Sequence, residues 1–154
     1  MKVPWPFGLP QNQIRPERLA MNNDKERDLQ HEAPQILLVD DEEDILPEYQ
    51  DFLELEGLES AICADPQKAV EMVLAQSDLR VVVTDLRMAQ LDGAGLIRAL
   101  RSALPAARRV DFIILTGDAA LQTSDDIADV PVFIKPADTD ALVAAIRSAL
   151  ASNQ

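Results

Sequence analysis

The sequence predicts an α/β domain in which a doubly wound, five-stranded parallel sheet carries helices on both faces. Three observations support this. From residue 35 onward, short apolar runs alternate with amphipathic segments of helical period, the texture of repeated βα units. The runs are apolar at almost every position, as strands are when both sheet faces are covered. Right-handed crossovers then wind the units into a sandwich. A chain of 154 residues with 47% hydrophobic content is long enough for one such core and too short for two ordinary ones.

The elements follow in order. Ile36 to Val39 reads as the first strand and ends in Asp40-Asp41-Glu42. Ile45, Tyr49, Phe52, Leu53 and Leu55 then fall at helical spacing, with Pro47 tolerated in the first turn and Gly57 as the stop. Ser60 to Ala64 gives a second strand. The next helix opens near Pro66, with Ala69, Val70, Val73 and Leu74 on its inner face. Arg80 to Thr84, β-branched through VVVT, makes the third strand and delivers Asp85. Leu96, Ile97 and Leu100 mark a helix over Gly93 to Leu104, closed by Pro105. Phe112 to Leu115 is the fourth strand, ending in Thr116-Gly117, and Ala119 to Ala128 is weakly apolar and predicts a shortened fourth helix. Val132 to Ile134 is the fifth strand, followed by Lys135-Pro136. A last helix enters at Asp138 or Thr139 with Leu142, Ala145, Ile146, Ala149 and Leu150 as its stripe.

Composition narrows the function. A formal charge of −13 disfavours direct nucleic-acid binding, which depends on neutralising phosphates. Apolar stretches fall short of the roughly eighteen residues of a membrane span. The opening MKVPWPFGLP breaks on proline and glycine instead of entering a signal-peptide core, so a cytoplasmic location is expected. One cysteine, Cys63, excludes an internal disulfide, and with a single histidine, His31, the chain has no Cys/His zinc pattern. Residues 1–33, with Trp5 and Phe7 among prolines and Met21 as an alternative start, read as a flexible extension ahead of a domain at 35–152.

In an open α/β sheet the site lies beyond the carboxyl ends of the strands. The residues there are Asp40, Asp41, Asp85, Thr116 and Lys135. Carboxylates crowded at one edge repel unless a cation sits among them, and Mg²⁺, which takes carboxylate and water oxygens while leaving positions for phosphate, is the natural guest. Asp85 then has the makings of a carboxylate nucleophile that forms an aspartyl phosphate. Lys135 and the Thr116 hydroxyl are placed to neutralise and bind the phosphoryl oxygens.

The blocks VDDEEDIL, VVVTDLRMAQLDGAGLI, FIILTGD and VFIKP, in this order, resemble the diagnostic segments of a stand-alone response-regulator receiver domain of the CheY-like, flavodoxin-like fold. The spacings agree: 44 residues from Asp41 to Asp85 and 31 from Asp85 to Thr116. The resemblance implies that Asp40 and Asp41 hold Mg²⁺, with Asp41 a direct ligand, and that Asp85 accepts phosphate from a phosphohistidine. It implies that the backbone carbonyl of Arg87 joins the metal shell and that Lys135-Pro136 is a cis peptide. The partners it implies are a sensor histidine kinase or histidine phosphotransferase and a downstream protein target. Without an output segment after residue 152, the chain is expected to signal by protein contact or to act as a phosphate shuttle or sink, not as an enzyme.

The sequence also departs from the family pattern. Ala89 replaces the usual proline of the loop after the phosphoacceptor, which predicts a more mobile loop. Val132 stands where many receivers carry the aromatic switch residue, and strand alternation points the neighbouring Phe133 to the opposite face. Only 19 residues separate Thr116 from Lys135, hence the shortened fourth helix. Arg87, Gly117 and Asp118 are candidate tuning residues: Arg87 and Asp118 as a pair across the mouth, Gly117 as an open route for water. Two other readings compete. A small Mg²⁺ phosphohydrolase of the haloacid-dehalogenase type needs a DxD that neither Asp40-Asp41-Glu42 nor Asp85-Leu86-Arg87 supplies. A receiver fold kept purely as an interaction module has no need of the five site residues.

Overall fold

Every residue of strand β1 (Ile36–Val39) and of β3 (Val81–Thr84) is buried, because helices cover both faces of the sheet they centre. This is seen in a computed structural model that describes residues 33–117, 125–135 and 139–152. Strands β2 (Ser60–Cys63), β4 (Asp111–Thr116) and β5 (Val132–Ile134) complete a parallel sheet of order β2-β1-β3-β4-β5. Val39 pairs with both Cys63 and Thr84, and Thr116 with Ile134, so the carboxyl ends line up along one edge. Strand order reverses between β1 and β3, and that crevice is where such sheets bind ligands. The two acidic segments, after β1 and after β3, therefore emerge side by side.

Alternation splits the core in two. Leu37, Val39, Val82, Phe112 and Ile114 face helices α2 (Pro66–Ala75) and α3 (Gly93–Ala103). Ile36, Leu38, Val81, Val83, Ile113 and Leu115 face α1 (Leu46–Leu55) and α4 (Thr139–Ser152). Each fully buried aliphatic side chain contributes about 1.5–3 kcal/mol relative to exposure, so a register slip of one residue, which exchanges the two sets, is strongly disfavoured.

Local signals in the chain end the helices. Gly57, at φ 78°, terminates α1: its N–H donates to the carbonyl of Glu54 and that of Leu58 to Leu53, the paired bonds of a left-handed helix stop. Asp65 caps α2 by accepting from the Gln67 N–H at 2.9 Å, with Pro66 at the first helical position. The other end of α2 is closed by Arg108, whose guanidinium donates to the carbonyls of Val73, Gln76 and Leu79. Asp92 caps α3 through the Gly95 N–H at 2.7 Å.

Three details differ from the sequence expectation. Leu74 is 44% exposed, because the contact line of α2 runs through Pro66, Ala69 and Val73 and one residue further turns about 100° away. Val143, outside the expected stripe of the last helix, is buried with Leu142 and Ile146. Where a shortened fourth helix was expected, the described residues hold a single 3-10 turn, Asp125–Ile127; residues 118–124 lie outside the described set. The turn is fastened by charge. Arg98 pairs with Asp126, and Arg101 with Asp129 and the Asp126 carbonyl, while Ile127 and Val130 fill the core. On β5, Phe133 packs inward against the α1/α4 face whereas Val132 and Ile134 are exposed, as alternation requires.

Candidate functional site

The sheet ladder continues one residue past three strands and thereby fixes the charged groups. The Asp40 N–H donates to the Cys63 carbonyl, the Asp85 N–H to Val39, and the Lys135 N–H to Thr116 at 2.7 Å. Backbone position is thus set by neighbouring strands before any side chain interacts. Carboxylate oxygens of Asp40, Asp41 and Asp85 all come within 4.8 Å of one another. An octahedral Mg²⁺ shell at its usual bond lengths places neighbouring oxygens about 3 Å apart and opposite ones about 4.2 Å apart. The three carboxylates, buried, exposed and half-buried in that order, offer the oxygen donors such an ion takes and draw closer together to close around it.

Lys135 supplies the balancing charge. Its Nζ lies 2.8 Å from Asp40 Oδ2 and 3.5 Å from Asp85 Oδ2, and all three side chains are largely shielded from solvent. Burial is the largest single influence on the ammonium and pulls its pKa down. The hydrogen bond to Asp40 and the charges of Asp40, Asp85 and Tyr49 together outweigh it, so the pKa stands above the ordinary lysine value. Main-chain N–H groups also hold one oxygen of each carboxylate. Asp40 Oδ1 accepts from the Glu42 N–H at 2.9 Å, and Asp85 Oδ1 from Leu86 at 2.7 Å. Asp41 Oδ2 accepts from the Ala89 N–H at 3.1 Å. The loop expected to be more mobile for want of a proline is therefore tied to Asp41 by the N–H that alanine retains.

The other expected site residues are placed as follows. Thr116 is buried at the end of β4. Gly117 is exposed, and a Cβ added there would meet nothing within 4 Å. Arg87 is exposed on the loop after Asp85. Asp118 and Pro136 lie outside the described residues, and with them the Arg87–Asp118 pair and the cis peptide.

Two residues of the site escaped the sequence reading. Tyr49 was placed only on the apolar stripe of α1, yet it lines a cavity of about 20 Å³ with Asp40, Thr84 and Asp85, room for one water. Burial raises its pKa first; Lys135 lowers it, and Asp40, Asp85 and Glu48 raise it further. Its signal was a lone phenol hydroxyl on an otherwise hydrocarbon stripe. The other is Gly93. An added Cβ would collide with the Asp85 carbonyl oxygen and stand 3.0 Å from the Leu86 Cα, so only glycine lets α3 begin against the backbone of Asp85.

The family pattern of the response regulator receiver domain matches residues 36–147. This chain belongs to that family. The receiver is 29% identical over 124 residues to the transcriptional regulatory protein ZraR of Escherichia coli, covering 79% of this chain and 27% of ZraR. It is 29% identical over 82 residues to the two-component response regulator PprB of Pseudomonas aeruginosa, covering 53% of this chain and 30% of PprB. The chain thus spans under a third of these curated relatives. Among solved structures, the signal receiver domain of an HD domain-containing protein from Pseudomonas fluorescens superposes with a TM-score of 0.68 at 27% identity, over 79% of this chain and 98% of that one. Among the described residues, no helix of the receiver is long and apolar enough to cross a membrane.

Two outcomes follow for the receiver. Gly93→Ala should lower stability by about 1–3 kcal/mol through overpacking against Asp85. Gly95→Ala, whose Cβ meets side-chain atoms instead of backbone, the movable end of Leu91 at 2.6 Å and Asp92 Oδ1 at 3.2 Å, should cost less; urea midpoints of the two variants decide this. Lys135 and Tyr49 both hold their protons more tightly folded than unfolded. Their contribution is complete below the ordinary values of 10.5 and 10.0 and is lost as pH rises through the higher folded values. Thermal midpoints should therefore fall above about pH 10 in the wild type and fall less steeply in Lys135→Gln.

Proposed function

We propose that Asp85 is the phosphoacceptor of this receiver and that Asp40, Asp41 and Asp85, with the backbone carbonyl of Arg87, hold Mg²⁺ beside it. The observation that carries this reading is the meeting of three carboxylates and one lysine at the β1/β3 crevice. Bound there, Mg²⁺ supplies charge neutralisation on the phosphoryl oxygens. A carboxylate oxygen of Asp85 attacks the phosphorus of a phosphohistidine in line, the P–N bond breaks, and the departing imidazole takes its proton from solvent. Lys135, already 3.5 Å from Asp85, moves from compensating the free carboxylate to pairing with a phosphoryl oxygen. The Thr116 hydroxyl donates to another. The acceptor carboxylate exists as a strong acyl-phosphate precursor only because its neighbours stabilise added negative charge.

The donor in this reading is a sensor histidine kinase or a histidine phosphotransferase, and the setting is cytoplasmic. Output runs through altered protein contacts, or the domain serves as a phosphate shuttle or sink. Val132 is aliphatic and 39% exposed, so any coupling from Thr116 to β5 operates without an aromatic ring at position 132. That same observation favours, as the alternative, a receiver fold that binds its partner whether or not Asp85 is modified.

Incubation with Mg²⁺ and acetyl phosphate followed by mass measurement separates the readings. The wild type should gain one phosphoryl group, about 80 Da, and Asp85→Asn none; an equal adduct on the variant, or none on either, would overturn the assignment. Because the space beside Gly117 is open, water reaches the acyl phosphate easily, and replacing Gly117 with Ala or Gln should slow its loss. Unchanged loss would sink the steric argument.

A further inference from the structure

We infer that the main-chain amide of Ala89 positions Asp41 for the cation, so that metal occupancy and the conformation of loop 86–91 are linked. The inference rests on the reading of Asp40, Asp41 and Asp85 as a Mg²⁺ site. Each of these carboxylates has one oxygen engaged by a main-chain N–H, but the three donors differ in origin. Those of Asp40 and Asp85 are local, from residues two and one positions on. The donor to Asp41 comes from 48 residues away, across the crevice, on the loop that follows β3.

Asp41 needs such a tether more than the others do. Asp40 and Asp85 are additionally gripped by Lys135, whereas Asp41 is exposed. Beside it lies a cavity of about 190 Å³, lined by Asp41, Ala64, Asp65, Pro66, Ala89 and Gln90, into which its side chain has room to turn away from the cluster. The Ala89 N–H, accepted by Oδ2 at 3.1 Å, opposes that rotation and leaves Oδ1 for a ligand. A proline at this position has no N–H to give.

The loop is well placed to transmit the effect. Buried Leu86 and Met88 anchor it, and the Gly93 N–H closes it on the Leu86 carbonyl at 2.8 Å, while Ala89 itself stands exposed. Whatever draws Asp41 toward the cluster fixes the Ala89 amide, and whatever fixes that amide favours the cation by the same factor.

The test measures Mg²⁺ binding calorimetrically, with no phosphodonor, in wild type, Ala89→Pro and Ala89→Ser, together with hydrogen exchange at the Ala89 amide of the wild type. Loss of a group that orients a metal-binding carboxylate typically weakens affinity 10- to 100-fold, so Ala89→Pro should bind about tenfold more weakly and Ala89→Ser within about twofold of wild type. Exchange at Ala89 should slow when Mg²⁺ is added. Wild-type affinity in a folded Ala89→Pro, or exchange at Ala89 indifferent to saturating Mg²⁺, overturns the inference while leaving the metal site intact. A wild type that binds no Mg²⁺ overturns the metal reading itself and the inference with it. The exchange measurement stands even if the proline variant does not fold.

Discussion

One lysine against two shielded aspartates is the constraint around which the carboxyl edge of this sheet is arranged. Removing Lys135 leaves Asp40 and Asp85 close together with no compensating charge, and breaking a buried pair from one side costs about 3–5 kcal/mol. The ammonium does not cancel the site, since three carboxylates converge on it, and the excess negative charge is what makes the crevice attractive to a divalent ion. In the proposed function the same lysine serves the free and the phosphorylated states of the site. Its proton is held firmly because the attraction of its neighbours exceeds the penalty of burial.

Geometry of this kind depends on rigid backbone beneath it. Asp40, Asp85 and Lys135 each continue the ladder of a strand, so their separation is fixed by strand spacing and not by loop conformation. The loop after Asp85 is then drawn in from three directions: by buried Leu86 and Met88, by the close approach that Gly93 permits, and by the reach of Ala89 to Asp41. At the far side of β4 the described residues form a 3-10 turn, Asp125–Ile127, with charge at its rim. Arg98 and Arg101 fasten the 3-10 turn through Asp126 and Asp129, and Ile127 and Val130 supply the apolar cover. A surface pair of this type is individually weak, so the buried Ile127 and Val130 do most of the holding.

The five strands and the acidic edge were legible because they depend on patterns that repeat. Short β-branched runs such as VVVT suit a doubly covered strand, and the residue after such a strand lies at its carboxyl edge. Gly57 acts through bonds within a few residues, so its role as a helix stop could be read in place. Arg108 carries no such signal. Its three carbonyl partners lie some 30 residues upstream and form a target only after α2 has ended beside it.

The sequence by itself determined the five strands, the order in which they deliver Asp40, Asp41, Asp85, Thr116 and Lys135, and the family to which that order belongs. The strands and their edge residues are consequences of local periodicity and of residue chemistry next to it, and the family follows from the resemblance of the four sequence blocks. Only the tertiary structure decided that Leu74 faces solvent, that Tyr49 borders the acidic pocket, that Gly93 must lack a side chain, and that the Ala89 N–H reaches Asp41. Each of these is a distance between segments remote in the chain. Such distances are set by how helices settle on the sheet, and periodicity along one segment carries no information about them.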